Sequence, residues 1–205
     1  MIIVDYNVGN IGSIVNMFKK IGVRATLSSD ENVIANADKI FFPGVGSFGH
    51  GMACLKKSGL IDVLEQKILK DNVPVLGVCL GMQLMFGHSE EGYCEGLGWI
   101  KGCVKHFDLH KIDKNLKVPH MGWNQIKVKQ SLDLINNLPD EPRFYFAHSY
   151  HAVCDDESNV LATANHGYDF PCVVQNGNVY GAQFHPEKSH KFGMSLLKNF
   201  TEMEN

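Results

Sequence analysis

The first half of the chain alternates unbroken apolar runs with amphipathic runs. The apolar runs "MIIVDY", "VRATLS", "KIFFPG" and "VPVLGV" predict strands, and "SIVNMFKKIG", "MACLKK" and "LIDVLEQKILK" predict helices. In the first helical run, apolar residues recur at Ile14, Val15, Phe18 and Ile21, the spacing of one helix face, and Gly22 closes it. Apolar strands between helices are typical of a parallel sheet that is covered on both faces.

The second half has a different pattern. "RFYFAHSYHAV", "NVLATANH", "FPCVVQNG" and "VYGAQFHP" are strand-like runs separated by turn residues, and a helix is predicted only at "HKFGMSLLKNFTEME". This pattern indicates a mainly antiparallel extension that shares the parallel sheet. We therefore predict an α/β fold with an open, mostly parallel, doubly wound sheet and an antiparallel extension, formed by residues 1–205 as a single domain.

Composition narrows the function classes. The net charge is −3 and 20% of residues are charged, so nothing favours nucleic acid or a membrane surface as a partner. No apolar run approaches the roughly 20 residues that span a bilayer, and the N-terminus is too short and acidic for a signal peptide. The six cysteines lack CxxC pairing, which predicts reduced thiols in the cytoplasm, and we expect neither a metal site nor a cofactor.

Cys79 follows the apolar run "VPVLGV" in the pattern Gly77-x-Cys79-x-Gly81. This is the form of a nucleophile elbow, in which a strand turns sharply into a helix and presents the nucleophile at the sheet edge. The two glycines keep side chains away where strand, turn and helix approach one another. The N–H of Leu80 would then point towards the group that Cys79 attacks. The alternative is an inert cysteine in a tight turn.

A base for this cysteine is offered by "YGAQFHPEKS". His185 follows a predicted strand, and Glu187 lies two residues further on, where an extended chain points side chains the same way. Glu187 could then accept the ring N–H of His185 and fix its tautomer. Alone, the pair could equally be a strand-end histidine beside a solvated glutamate. Together with the elbow, it predicts the catalytic triad Cys79, His185 and Glu187.

The run "FFPGVGSFGHG" supplies a third element. Its glycines allow a loop whose backbone N–H groups turn towards a developing negative charge. An ordinary glycine-rich turn is the alternative. A phosphate cradle is disfavoured because no Gly-Lys-Ser/Thr follows.

These motifs resemble those of the class I, triad-type glutamine amidotransferases, over essentially the whole chain. "PGVGSF", "GVCLGMQLMFGHSEEG", "GLGWIKG", "VPHMGWN", "FYFAHSYHA" and "QFHPEKS" are similar to the glutaminase subunits of imidazole glycerol phosphate synthases, which act in histidine biosynthesis. One departure is Asn7, where the family leads us to expect glycine. Asparagine tolerates left-handed backbone better than most residues, so we expect that loop to survive.

The resemblance implies that Cys79 attacks the side-chain amide of glutamine, and that His185 protonates the departing ammonia and then activates water. The oxyanion would be held by the N–H of Leu80 and by that of either Val45 or Gly46. Bound glutamine would contact Gln83, and Ser149 and Tyr150 would hold its α-carboxylate and amine.

The resemblance also implies a partner, a (β/α)₈-barrel cyclase that forms a heterodimer with the glutaminase. The cyclase joins the ammonia to a nucleotide and makes imidazole glycerol phosphate and aminoimidazole carboxamide ribotide. The implied interface residues are Asn10, Pro119, His120, Met121, Gly122, Trp123, Asn124 and Lys188.

Three other functions remain open at this point. A paralogous glutaminase could feed ammonia to a different synthase, such as a sugar-amidating enzyme for surface glycans. A binding protein with an inactive amidotransferase fold would be expected to have lost a triad residue or Gln83, and neither is lost. A cysteine peptidase or other hydrolase would not need "PHMGWN".

Overall fold

The computed structural model describes residues 1–112, 116–130 and 132–203. The helices are α1 (Ile11–Lys20), α2 (Glu31–Ala35), α3 (Phe48–Ser58), α4 (Ile61–Glu65), α5 (Leu80–Leu84) and α6 (His190–Glu202). The strands are β1 (Ile2–Val4), β2 (Thr26–Ser28), β3 (Ile40–Phe42), β4 (Val75–Val78), β5 (Phe86–Ser89), β6 (Cys94–Glu95), β7 (Ile100–His106), β8 (His120–Val128), β9 (Arg143–His148), β10 (Tyr150–Cys154), β11 (Val160–Asn165), β12 (Asp169–Asn176) and β13 (Val179–Ala182).

Within the described residues, nine strands form the main sheet in the order β2-β1-β3-β4-β13-β12-β11-β8-β9. The neighbours among β2, β1, β3, β4 and β13 pair in parallel. The neighbours among β13, β12, β11, β8 and β9 pair antiparallel. The predicted α/β fold, a sheet with a parallel part and an antiparallel extension, is confirmed. Two hydrophobic clusters pack on this framework, one including α1 and α6 residues and one including α3 and α5 residues.

The strands β3, β4 and β13 are neighbours in the parallel part. The glycine-rich loop follows β3, Cys79 follows β4, and His185 comes shortly after β13. Because the carboxyl ends of parallel strands meet at one edge of a sheet, the three predicted motifs converge there. The topology thus places them together before any side chain is considered.

The apolar pattern failed to predict a second, four-stranded sheet in the order β10-β7-β5-β6. Its strands β5 and β6 have only four and two residues, and β7 alternates irregularly between buried and exposed positions. The pattern also missed β8, which is rich in polar residues, and the five-residue α2, which Asp30 caps. The single strand-like run "RFYFAHSYHAV" is divided at Ser149 between the two sheets.

The antiparallel part of the main sheet curls back towards the parallel part. Its last strand, β9, contacts the segment that follows β13 through an isolated bridge between Tyr145 and His185. The His185 N–H donates to the Tyr145 carbonyl at 2.8 Å, and the Tyr145 N–H donates to Ser189 Oγ at 3.0 Å. The residues after β13 therefore lie along the outer edge of β9.

Candidate active site

Cys79 occupies a sharp turn between β4 and α5. Its φ of 53° and ψ of −112° lie outside the regions that residues with a side chain normally adopt. The turn is held by the surrounding sheet, since the Cys79 N–H donates to the Ala182 carbonyl of β13 at 2.8 Å. Cys79 is 7% exposed and lines a cavity.

The glycines beside Cys79 are required by close packing. A Cβ at Gly81 would lie 2.1 Å from the Phe42 carbonyl oxygen, and a Cβ at Gly77 would lie 2.5 Å from Met85 Cε. The first contact involves backbone, which cannot move aside cheaply. The glycine pattern that suggested an elbow therefore reflects the contact between β3 and the start of α5.

The glycine-rich loop interlocks with the same turn. A Cβ at Gly44 would lie 2.4 Å from the Gly81 backbone nitrogen. The buried Tyr6 hydroxyl donates to the Pro43 carbonyl and holds the loop where it leaves β3. Val45 and Gly46 follow, exposed and lining the cavity beside Cys79, with Gly46 at a φ of 104°. Their N–H groups thus belong to a loop that packs against the elbow.

His185 and Glu187 form a buried pair. The two side chains are 5% and 3% exposed, and His185 Nδ1 lies 2.8 Å from Glu187 Oε1. Pro186 begins a short 3₁₀ turn, Pro186–Lys188, which bends the chain so that the carboxylate reaches back to the ring. With Nδ1–H donating to Glu187, the ring nitrogen Nε2 is the one left for Cys79.

The electrostatics of His185 favour an imidazolium. Burial alone would lower its pKa, but interactions with the Cys79 side chain and the Glu187 carboxylate outweigh burial and raise the pKa of His185 to about 10. Within the described residues, Glu187 Oε2 is buried without a hydrogen-bond partner, so the carboxylate is committed to His185 through its other oxygen. The pair can therefore hold a proton next to the thiol at neutral pH.

The cavity at this edge of the sheet has a volume of about 410 Å³. The predicted substrate residues Gln83, Ser149 and Tyr150 line it together with Cys79 and His185. Other lining residues are Val45, Gly46, Leu80, Glu91, Pro119, Met121, Ala147, His148 and Lys188. A larger cavity of about 740 Å³ lies elsewhere, among residues of β7, β10, β11 and β12, and contains none of the predicted site residues.

The side-chain amides of Gln83 and Gln183 form a pair at the cavity, and the sequence predicted a role only for Gln83. Gln83 Nε2 donates to Gln183 Oε1 at 3.0 Å and to the Tyr150 carbonyl at 3.0 Å. Gln183 Nε2 lies 4.0 Å from Cys79 Sγ, and Gln183 is fully buried. The available signal was a glutamine in the otherwise apolar run "VYGAQF", two residues before His185 and therefore on the same face of the strand.

Glu91 is a second residue that the sequence reasoning did not assign. Its carboxylate accepts the Phe48 N–H at the start of α3 at 2.8 Å, and its neighbour Glu90 accepts the His106 N–H at 2.9 Å. These contacts tie the "SEEG" turn to α3 and to β7. The turn, and with it one wall of the cavity, is thus fixed by two carboxylates.

The predicted interface residues divide into exposed and buried ones. Met121 and Trp123 are 64% and 46% exposed, and Asn10, Pro119 and Lys188 are exposed as well. Gly122 and Asn124 are partly exposed. His120 is the exception: it is 5% exposed and lies beneath this surface, because strand alternation turns it inwards while Met121 points outwards. Its assignment to the interface stays a prediction, in which the ring lies under the exposed residues and not among them.

Several sequence-based expectations concern residues outside this site. Asn7 has a φ of 64°, in the left-handed region that asparagine tolerates better than most residues. All six cysteines are free, as predicted, and burial raises the pKa of the Cys154 thiol to about 12 and that of Cys172 well above its usual value. No group of histidine, cysteine and acidic residues within the described ranges is arranged to hold a metal ion. The described helices include none that is long and apolar enough to cross a bilayer.

Comparison with known proteins gives close relatives over nearly the full length. The "Imidazole glycerol phosphate synthase subunit HisH 2" of Methanococcus maripaludis is 48% identical over 97% of this chain and 96% of its own length. The HisH subunit of Bdellovibrio bacteriovorus is 47% identical over 98% of both chains. The HisH 2 subunit of Pseudomonas aeruginosa is 46% identical over 99% of both chains.

Solved structures share the fold at low identity. A crystal structure of a glutamine amidotransferase superposes with a TM-score of 0.76 at 18% identity, over 98% of this chain and 97% of that one. A chain in the structure of PurLQS from Thermotoga maritima gives 0.73 at 18% identity, over 98% and 96%. At this identity, the likeness concerns the fold alone. The family model for "Glutamine amidotransferase class-I" matches residues 2–203. The chain therefore belongs to the class I glutamine amidotransferases and, within them, to the HisH family.

Proposed function

We propose that this chain is the glutaminase subunit of an imidazole glycerol phosphate synthase. It hydrolyses glutamine to glutamate and ammonia, and the ammonia passes to a cyclase subunit in histidine biosynthesis. The observation that carries the proposal is the convergence of Cys79, the His185–Glu187 pair and the glycine-rich loop on one cavity. Identity of 46–48% to HisH subunits over nearly the whole chain supports it.

The reaction begins with attack of the Cys79 sulfur on the side-chain amide carbon of glutamine. His185, an imidazolium through its contacts with Cys79 and Glu187, gives its proton to the departing ammonia and leaves a glutamyl thioester. The neutral imidazole then takes a proton from water, the hydroxide replaces the thiolate, and glutamate is released. One water is consumed for each ammonia formed.

Backbone donors stabilise the two tetrahedral intermediates. The N–H of Leu80, at the start of α5, is one donor, and the second comes from Val45 or Gly46 in the loop that packs against the elbow. Gln83 contacts the bound glutamine, and Ser149 and Tyr150 hold its α-carboxylate and amine.

The partner is a (β/α)₈-barrel cyclase that binds as a heterodimer over the exposed residues of β8 and their neighbours. Met121 and Trp123 provide an apolar surface directly beside the cavity, and Lys188 at the cavity rim provides a positive charge for a carboxylate of the partner. Asn10, Pro119, Gly122 and Asn124 complete the surface, and His120 supports it from beneath. The proposal places the complex in the cytoplasm, in keeping with six free thiols.

A second candidate is a paralogous glutaminase with the same chemistry and a different ammonia acceptor, such as a sugar-amidating enzyme for surface glycans. Two of the relatives above carry the number 2 in their names, and both names denote imidazole glycerol phosphate synthase subunits. Because the acceptor is set by the partner, the triad residues are the same in both cases.

Glutamate release from glutamine distinguishes these functions. The chain would be assayed alone, with the barrel cyclase from the same source, and with that cyclase plus its nucleotide substrate. We expect hydrolysis to rise strongly with the loaded cyclase and to fall by at least about a thousandfold in Cys79→Ala. If the cyclase has no effect while Cys79-dependent hydrolysis persists, the glutaminase chemistry stands and the acceptor is another synthase. Hydrolysis that survives Cys79→Ala refutes the triad.

A further inference from the structure

A chain of hydrogen bonds begins at Asn124, on the same strand as the exposed Met121 and Trp123. Asn124 Nδ2 lies 2.7 Å from the Asn165 carbonyl oxygen, which can only accept, so this end of the amide must be the NH₂ group. The same nitrogen lies 3.1 Å from His120 Nε2. Its second hydrogen therefore points at His120, and His120 Nε2 must be an acceptor.

The proton positions follow from the opposite end of the chain as well. His148 Nδ1 lies 2.7 Å from the Tyr150 carbonyl oxygen, so Nδ1 carries the proton and His148 Nε2 is an acceptor. His120 Nδ1 lies 3.1 Å from that acceptor and must donate to it. The two ends require the same tautomer of His120, with the proton on Nδ1. All the hydrogen bonds can therefore form at once, each donated in the direction from Asn124 to the Tyr150 carbonyl.

The chain ends on an atom shared with the glutamine site. The Tyr150 carbonyl accepts from His148 and also from Gln83 Nε2 at 3.0 Å. Gln83 uses its second amide hydrogen on Gln183, at 3.0 Å. With both hydrogens engaged, the Gln83 amide is fixed in rotation, and its oxygen is the atom left to meet a ligand in the cavity that Gln83 lines.

We propose that His120 and His148 are positioning residues of the glutamine site. Their directed hydrogen bonds, Asn124 to His120 to His148 to the Tyr150 carbonyl, orient that carbonyl and through it the Gln83 amide that receives glutamine. This inference rests on the proposed glutaminase function. It assigns to two histidines a role in substrate binding although neither belongs to the triad.

The surroundings of the two histidines keep them neutral, as the chain requires. His120 and His148 are 5% and 7% exposed and pack against the rings of Phe107, Phe146 and Phe170. Burial, with the neighbouring His166, lowers the pKa of His120 to about 4, and burial lowers that of His148 well below its usual value. An imidazolium has no acceptor nitrogen, so protonation of either ring would break the chain.

His166 provides a matched control within the same cluster. Its ring stacks on His120 at 4.3 Å between centroids and is 8% exposed, so its packing is comparable. Its Nε2 lies 3.0 Å from the Lys117 carbonyl, and it makes no bond in the chain described above. His120→Phe and His166→Phe each remove one buried imidazole, but only His120→Phe interrupts the chain of hydrogen bonds.

The first test reads the tautomers directly. Nitrogen–proton correlation spectra of the isotope-labelled chain at neutral pH distinguish the Nδ1–H and Nε2–H forms of neutral histidine. We expect both His120 and His148 to carry the proton on Nδ1. If either ring carries its proton on Nε2, or is an imidazolium, the inference is overturned, whatever glutaminase activity the protein shows.

The second test uses glutamine hydrolysis with the loaded cyclase. His120→Phe should raise KM for glutamine about tenfold, with kcat changed less than about twofold. The reason is that the bond from His120 to His148 is lost, and with it the support for the Tyr150 carbonyl that orients Gln83. His120→Asn, which can place an NH₂ group where Nδ1–H stood, should recover most of the wild-type KM, and His166→Phe should leave KM unchanged. Equal KM values for His120→Phe and His166→Phe would refute the role, whereas absence of hydrolysis in the wild type would refute the proposed function instead.

Discussion

Two buried pairs contain histidine, His185–Glu187 and His120–His148, and the histidine pKa values are shifted in opposite directions in the two pairs. His185 is 4% exposed and its pKa is raised to about 10, whereas His148 is 7% exposed and its pKa is lowered well below the usual value. Burial opposes the imidazolium in both places. The difference comes from the neighbours: a carboxylate and a thiol face His185, and a second imidazole faces His148. The partner, more than the depth, decides which histidine can hold a proton.

The two pairs also occupy different parts of the sheet. His185 follows β13 at the edge where the parallel strands end, beside Cys79 from the end of the adjacent strand β4 and Glu187 two residues further on. His120 and His148 lie opposite each other on the antiparallel strands β8 and β9, enclosed by aromatic rings. The first setting is suited to moving a proton. The second is suited to fixing hydrogen bonds in one direction.

The largest effect is expected when the carboxylate of the first pair is made neutral. Glu187→Gln keeps the shape of the side chain but removes the charge that supports the imidazolium, so kcat/KM for glutamine hydrolysis should fall by about a hundred- to a thousandfold at pH 7. Steady-state kinetics of the complex measure this loss. Glu202→Gln, an exposed carboxylate paired with Lys198, is the control and should retain wild-type activity. Near-normal activity of Glu187→Gln would mean that the Glu187 charge is not needed to support the His185 imidazolium.

An intermediate effect is expected in the stability at alkaline pH. The pKa of His185 is about 10 in the folded protein and about 6.5 in an unfolded chain, so between these values the native state binds the extra proton. This contribution to the free energy of unfolding is fully present below about pH 6.5 and is lost as the pH rises towards 10. Urea unfolding across this range should therefore show a smaller loss for Glu187→Gln than for the wild type. Parallel curves for the two proteins would contradict the raised pKa.

The smallest effect is expected in acid and has the opposite sign. The pKa of His120 is about 4 when folded and about 6.5 when unfolded, so the unfolded state binds more protons in this range and stability falls as the pH falls through it. His120 faces His148 and His166. His120→Phe should flatten the loss of unfolding free energy between about pH 6.5 and 4. An unchanged or steeper slope in His120→Phe would rule the account out.

The catalytic edge could be predicted because its requirements are local. Gly77 and Gly81 mark the elbow within five residues, and His185 and Glu187 are two residues apart, so short patterns carry the geometry. The close contact of Gly81 with the Phe42 carbonyl explains why the pattern is informative: a side chain there would collide with backbone. The alternation of apolar strands with helices was sufficient to predict the parallel part of the sheet.

The second sheet and the histidine chain could not be predicted, because neither has a local signature. The strands β5 and β6 are short, and β8 carries polar residues on both faces. His120 and His148 are 28 residues apart and meet only because β8 pairs with β9 in one particular register. The role of Gln183 likewise depends on Gln83, a hundred residues away.

The contact between Tyr145 and the segment from His185 to Ser189 has a further consequence. A strand at the end of a sheet offers unpaired N–H and C=O groups to other chains, and proteins cover such edges to avoid aggregation. Here the cover over part of β9 is the same segment that carries the base of the triad. The five residues from His185 to Ser189 therefore serve two purposes, and a substitution that displaces their backbone is expected to expose this edge as well as to misplace the base.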